Sequence, residues 1–292
     1  MDNMRGSAFM VLAMAAFSLE DMFIKSAART LPVGEILILF GLGGMLVFML
    51  LTRRRNEVIF HPAILSRPIL LRALSEVAGR MFFTLALAVA PLSSVSAILQ
   101  ATPLVVVMGA ALLFGERVGW RRWSAILVGF LGVLLIIRPG TQAFEASSLL
   151  AVAGMLGFAG RDLATRAAPP VLSNMQLGVY GFFVLIPVGF GLLLYSGGGS
   201  GLTLESALQI AGATVFGVIA YYSLTVAMRT GEVSVVTPFR YTRLVFALIL
   251  GAIIFAERPD TLTLVGSAII VSSGIYTLLR NRRPDLKTPD DQ

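Results

Sequence analysis

Apolar runs of 18–24 residues, separated by Pro, Gly and clustered charge, recur along the whole chain. Each is near the roughly 20 residues that a bilayer-spanning helix needs. They predict ten helices, at residues 6–25, 33–51, 69–90, 92–114, 120–137, 147–167, 172–195, 206–228, 233–255 and 262–279. The first run, preceded by Arg5, has no clear small-x-small cleavage site followed by a soluble domain, so it reads as a retained helix. The expected fold class is therefore an all-α membrane protein with ten transmembrane helices.

Composition narrows this further. Of 292 residues, 57% are hydrophobic and 13% charged, and the mean hydropathy is +0.85; soluble domains carry about 25% charged residues. With no Cys and a single His (His61), disulfides, thiolate nucleophiles and His or Cys metal clusters have no material. No HExxH, GxSxG or Walker-type loop occurs, so neither an enzyme nor an ATP-driven pump is expected, and no cofactor. The net charge of +7 sits at helix ends rather than in a stripe interleaved with aromatics, which excludes nucleic acid as a partner and leaves the lipid bilayer. With the N-terminus inside, fourteen Lys and Arg fall on one side (Arg5, Arg53 to Arg55, Arg67, Arg117, Arg121, Arg122, Arg166, Arg229, Arg280, Arg282, Arg283, Lys287) and three on the other (Arg29, Arg138, Arg258). Basic residues collect on the cytoplasmic side. Both termini are thus expected in the cytoplasm of a multi-pass inner-membrane protein, with Trp120 and Trp123 as an interfacial anchor and a disordered charged tail over 281–292.

An ungapped shift of 141 residues brings the chain into register with itself. Val11, Met14, Phe17, Asp21 and Ala27 meet Val152, Met155, Phe158, Asp162 and Ala168, and Lys25 meets Arg166. Ser93, Val95, Ala111, Phe114, Glu116 and Arg117 meet Ser234, Val236, Ala252, Phe255, Glu257 and Arg258. Apolar matches between helices are common, but paired acids and paired bases at one offset are not. Five spans per half force the second half to enter the membrane from the opposite side, giving two inverted five-helix repeats over 1–140 and 147–280, joined around Pro139 to Ser147. Such repeats place a binding site between the halves near the midplane.

The fourth span ends in LLFGERV (Leu112 to Val118) and the ninth in IIFAERP (Ile253 to Pro259), each followed by a helix carrying small residues: Ala125, Gly129 and Gly132, then Gly266 and Gly274. With five plus five helices, this resembles the EamA-type branch of the drug/metabolite transporter superfamily over essentially the whole chain. The nearest likeness is to the YddG-type amino-acid exporters. The resemblance implies a secondary exporter with its third, fourth, eighth and ninth helices around a central cavity. Arg240 and Arg243, where the first half has Leu99 and Thr102, depart from the repeat.

Charges at membrane depth cost several kcal/mol unless paired or wet, so each one is a candidate. At 1.5 Å per residue, Glu76 lies roughly 12 Å and Arg80 roughly 18 Å into the third span, and Arg240 and Arg243 roughly 10 and 15 Å into the ninth. Arg72, Glu76 and Arg80 share one helix face and suit an ion ladder. A second expectation pairs Glu76 with Arg240 or Arg243, as a structural pair or facing substrate, where an Arg would grip a carboxylate with both N–H groups. Gln100, with Pro103 freeing a carbonyl toward a cavity, and Tyr221, Tyr222 and Tyr241 complete the substrate-binding candidates; ring faces and carbonyls would suit an ammonium. Asp21 and Asp162, each four residues before a cation (Lys25, Arg166), read as interface anchors or as gates. Glu116 and Glu257 read as helix-end braces.

These readings converge on an alternating-access secondary transporter that exports small amphipathic metabolites, amino acids foremost and aromatic or hydrophobic ones among them. A gated channel or facilitator, or a carrier of sugar phosphates or nucleotide sugars, stands as the alternative. Coupling to protons through Glu76 and downhill export both fit, and the charge pattern leaves monomer and dimer equally open.

Overall fold

The computed structural model describes residues 2–114, 119–138, 145–166, 169, 171–230 and 237–279, with no strand among them. Helices α1 (Asp2–Ala27), α2 (Val33–Arg54) and α3 (Arg67–Val89) fill the first three predicted spans. The fourth is broken into α4 (Leu92–Leu99) and α5 (Thr102–Phe114). Then follow α6 (Trp120–Ile137), α7 (Ser147–Arg166), α8 (Asn174–Phe183), α9 (Leu185–Tyr195) and α10 (Leu204–Thr230). A 3-10 turn, Thr237–Tyr241, leads into α11 (Thr242–Phe255), and α12 (Thr261–Leu279) closes the described chain. Among the described residues five stretches are long and apolar enough to cross a membrane by length and hydropathy: Met4–Ala27, Val33–Arg54, Leu92–Leu113, Asn174–Tyr195 and Leu204–Leu224.

Two predicted spans are thus interrupted helices, and proline is the cause in both. Pro103 has no N–H to give the Leu99 carbonyl, and Pro187 none to give Phe183. The Leu99 carbonyl does not stay free, as the sequence suggested: the Thr102 hydroxyl donates to it at 2.5 Å.

The fold consists of two inverted five-helix repeats. Shifting α2 by 141 residues gives 174–195, the combined extent of α8 and α9. The same shift carries α3 onto α10, α5 onto α11 and α6 onto α12 to within a few residues at each end. Packing obeys the same relation: α1 lies along α10 as α7 lies along α3, while α2 meets α8 and α9, and α6 meets α12. Successive loops alternate between two ends of the bundle. At one end the α1–α2 turn meets the α9–α10 loop, where Ser200 donates to the Thr30 carbonyl at 2.8 Å and to Glu35 at 3.1 Å. At the other, the segment after α2 is tied to α8: Gln176 donates to the Val58 carbonyl at 2.6 Å and Tyr180 to that of Ile59 at 2.8 Å. α7 therefore starts at the end where α1 finishes.

Glycine sets the closeness of the symmetric contacts. A Cβ on Gly34 would meet the Gly189 carbonyl oxygen at 2.6 Å, and one on Gly132 that of Gly266 at 2.8 Å. These small-residue crossings let backbones touch where apolar side chains gain nothing over lipid.

The last residue of the α11 turn, Ala256, is left-handed with φ 53°, and the Glu257 amide closes the turn on the Gly251 carbonyl at 3.0 Å. Its repeat equivalent is Gly115, which itself lies outside the described residues. A Cβ there costs about 1 kcal/mol. Ala256→Gly is expected to raise the Tm of the protein in detergent by the equivalent of that amount; a lower Tm contradicts the assignment.

Candidate functional site

Between the two halves lies a cavity of about 50 Å³. α1 contributes Met14 and Phe17, α3 Arg80, the broken fourth span Leu99, Gln100, Thr102 and Pro103, α7 Phe158 and Arg161, and α10 Leu224. Arg240, from the 3-10 turn, and Arg243, from α11, complete the wall. Four guanidiniums thus face one small space. Phe17 and Phe158 are repeat equivalents, placed opposite each other by the inversion.

Each guanidinium has a carboxylate behind it. Arg80 donates through Nη1 to Glu20. Arg243 donates to Asp21 Oδ2 through Nε at 3.2 Å and Nη2 at 2.7 Å. Glu20 and Asp21 are both 0% exposed, and one oxygen of each has no hydrogen-bond partner. On the other side of the cavity Arg161 gives two N–H groups to Asp162 Oδ1, at 3.0 and 2.8 Å, and a longer one to Glu76 at 3.5 Å. Arg240 reaches the second oxygen of Asp162 at 3.4 Å. Arg72 stands 3.9 Å from Glu76 and donates to Thr165 at 3.0 Å and the Tyr221 hydroxyl at 2.9 Å. Aromatic faces support the same cations: Arg80 lies over Phe40 and Phe158, Arg161 over Phe158, and Arg243 over Phe17 and Phe83.

These partners differ from those the sequence suggested. Glu76 faces Arg161 and Arg72, whereas Arg243 and Arg240 take Asp21 and Asp162. The ladder on α3 stops at Arg72 and Glu76, because Arg80 turns across to Glu20. Asp21 is not an interface anchor: it is wholly buried on Arg243, and Lys25 goes to Glu257 at 3.8 Å and to the carbonyls of Leu87 and Ala90. Spacing along one helix says nothing of the neighbouring helix, and here the neighbours decide. The Arg166 side chain, Glu116, Arg117 and the tail from Asn281 lie outside the described residues.

Of the candidates, Arg80, Gln100, Arg240 and Arg243 line the cavity. Gln100 also donates to the Arg240 carbonyl at 3.2 Å, joining the C-terminal end of α4 to the turn before α11. Glu76, Asp21 and Asp162 stand behind the guanidiniums. Tyr221 serves Arg72 and packs edge-on against Phe48, Tyr241 is buried against Gly274, and Tyr222 is 39% exposed on the outside of the bundle. The ring faces that guanidiniums occupy are those of Phe17, Phe40, Phe83 and Phe158.

Glu20 and Arg161 carry no signal in a search for matched residues, because they are repeat equivalents of opposite charge. Their mark was adjacency: each directly precedes one member of the matched pair Asp21 and Asp162.

At the end bearing Lys25, Glu257 caps α4, accepting from the amides of Leu92 at 2.7 Å and Ser93 at 3.0 Å and from the Ser93 hydroxyl at 2.8 Å. It lines a larger pocket of about 350 Å³, open at that end, whose wall includes Ser94, Ile98, Arg138 and Asp260. Arg138 and the Thr263 amide hold the Asp260 carboxyl down at about 2, so this cap of α12 is lost only as pH falls through that value. α4 separates the two spaces: Ile98 faces the open pocket and Leu99 the central cavity.

Ten spans in two inverted halves around a charged central cavity define a membrane transporter of the repeat-built kind. The chain belongs to the EamA-like transporter family, whose model matches it twice, over residues 4–138 and 146–279. It is 28% identical over 203 residues to the riboflavin transporter of Rhizobium johnstonii, covering 69% of this chain and 66% of that protein. It is 28% identical over 267 residues to the pseudopaline exporter CntI of Pseudomonas aeruginosa, covering 89% of this chain and 91% of that protein. A solved crystal structure overlays with a TM-score of 0.66 at 18% identity, over 95% of this chain and 98% of the other.

Proposed function

We propose that the chain is a secondary transporter that moves small metabolites bearing a carboxylate, amino acids first among them, by alternating access through the cavity between its halves. The observation that carries this reading is the wall itself: Arg80, Arg161, Arg240 and Arg243 all face the cavity, and their carboxylates stand behind them. A guanidinium fork matches a carboxylate, and Phe17, Phe158, Met14 and Leu224 provide the apolar surface for the remainder of an amphipathic molecule. At about 50 Å³ the space is well below the roughly 300–1,000 Å³ of small-molecule sites, so loading requires α1 with α10 and α3 with α7 to part. Relatives named for riboflavin transport and pseudopaline export support a metabolite cargo.

Export is the proposed direction, with both termini cytoplasmic and the end bearing Lys25 and Glu257 outside. Proteoliposomes tested for counterflow with a panel of labelled amino acids are expected to show saturable exchange of at least one. Movement of another metabolite class with no amino acid moving rejects the cargo, and flux without counterflow favours a pore. Imposing a pH gradient separates proton-coupled from downhill movement, since only the coupled carrier accumulates substrate.

A further inference from the structure

Around the cavity, the described residues hold five guanidiniums and four carboxylates: Arg72, Arg80, Arg161, Arg240 and Arg243 against Glu20, Asp21, Glu76 and Asp162. The excess is local. Glu20 with Arg80 and Asp21 with Arg243 form two one-to-one pairs. Among the described residues Arg72, Arg161 and Arg240 share Glu76 and Asp162 alone, and three of the four bridges that join them are stretched to 3.4–3.9 Å. Among the described residues one unit of positive charge is therefore left on the side of the cavity formed by Arg161 and Arg240. Buried charge without a counter-ion is costly, and lipid offers none.

We infer that the cavity is a binding site for a monovalent inorganic anion of the halide class, chloride in a cell, held between Arg161, Arg240 and the facing Arg80 and Arg243. Size supports this as much as charge. About 50 Å³ accommodates a halide or a few waters but no metabolite. Among the described residues no carboxylate lines the space to repel it, and Gln100 and Thr102 add polar groups to the wall. A carboxylate substrate brings the same single negative charge to the same guanidiniums, so the halide must leave as the substrate enters. At the guanidiniums one carboxylate group takes the place of one halide, so no proton need be taken up or released there; an amino acid's ammonium travels with it as a separate positive charge. The site rests on the charge and volume of the cavity and stands whatever metabolite is carried.

Thermal unfolding of the purified protein in detergent tests it, with sodium chloride and sodium bromide compared with sodium methanesulfonate at equal ionic strength. The wild type is expected to gain Tm saturably with either halide, and Arg240→Gln to lose that gain. Equal shifts with all three salts, or a gain kept in Arg240→Gln, overturn the site. Should Arg240→Gln fail to fold, anomalous diffraction from wild-type crystals grown in bromide decides: a peak within hydrogen-bond reach of Arg161 and Arg240 supports it, and bromide absent from the cavity overturns it. With labelled L-phenylalanine as probe, chloride at ten times its own dissociation constant is expected to weaken apparent affinity about tenfold at unchanged maximal rate; a chloride-independent affinity overturns the displacement. Absence of transport for every carboxylate, with the halide-dependent Tm intact, overturns the proposed cargo and the displacement but leaves the site standing.

Discussion

Arg243→Gln is expected to lower the stability of the folded protein by about 3–5 kcal/mol and to abolish transport. The magnitude is that of breaking a buried ion pair from one side, which leaves an uncompensated charge. Asp21 is 0% exposed and holds Arg243 through two N–H groups, and the remaining Asp21 oxygen already has no partner. Without Arg243 the carboxylate has no other hydrogen-bonded cation among the described residues, since Lys25 is engaged by Glu257 and the end of α3. Adding Asp21→Asn to Arg243→Gln removes the stranded charge, so the double variant should recover most of the lost stability while still failing to transport. Thermal unfolding followed by size-exclusion chromatography in detergent reads the first effect and counterflow the second. A double variant no more stable than Arg243→Gln shows that the pair is not the source of the loss.

The second large effect belongs to the crossing of α3 and α7. A Cβ on Gly157 would lie 2.3 Å from the Gly79 amide nitrogen and 2.5 Å from its Cα. Backbone cannot step aside as a side-chain tip does, so Gly157→Ala must push the two helices apart. Overpacking of this kind costs about 1–3 kcal/mol or more. The displacement also pulls Arg161 from Glu76, and Thr165 from Arg72, because those contacts bridge the same pair of helices. Both stability and transport should fall. Gly191 is the control: a Cβ there has nothing within 4 Å, and Gly191→Ala should be neutral or stabilising by up to about 1 kcal/mol through helix propensity. Equal losses in the two variants would show that glycine content, rather than this contact, is what matters.

The fold was legible because its two determinants are written locally. Apolar runs of membrane length mark the spans, and the 141-residue offset, visible in Asp21 with Asp162 and Glu116 with Glu257, carries α2 onto α8 and α9 residue for residue. The interruptions were less legible. A proline in an apolar run is tolerated as a kink or forces a break according to what satisfies the freed carbonyl, and at Leu99 that is the Thr102 hydroxyl.

Most of the intramembrane charges were also identifiable, since any Arg or Asp among apolar residues stands out. Their partners were not. Depth along one helix placed Glu76 near Arg243, but pairing depends on which helices touch: α1 reaches α11 and brings Asp21 to Arg243, while α7 lies on α3 and brings Arg161 to Glu76. Glu20 and Arg161 escaped because a duplicated position had changed sign. At the α1–α10 crossing Glu20 faces Gly217, whereas at the equivalent crossing Arg161 faces Glu76, the repeat counterpart of Gly217. The halves thus share a backbone plan and differ in charge.

The central claim is that the arginine wall selects a carboxylate. Its most direct test is competition for counterflow of labelled L-phenylalanine in proteoliposomes, between 3-phenylpropionate, which keeps the carboxylate and lacks the ammonium, and phenethylamine, which keeps the ammonium and lacks the carboxylate. Inhibition by 3-phenylpropionate and none by phenethylamine is the predicted result; inhibition by phenethylamine alone would contradict it.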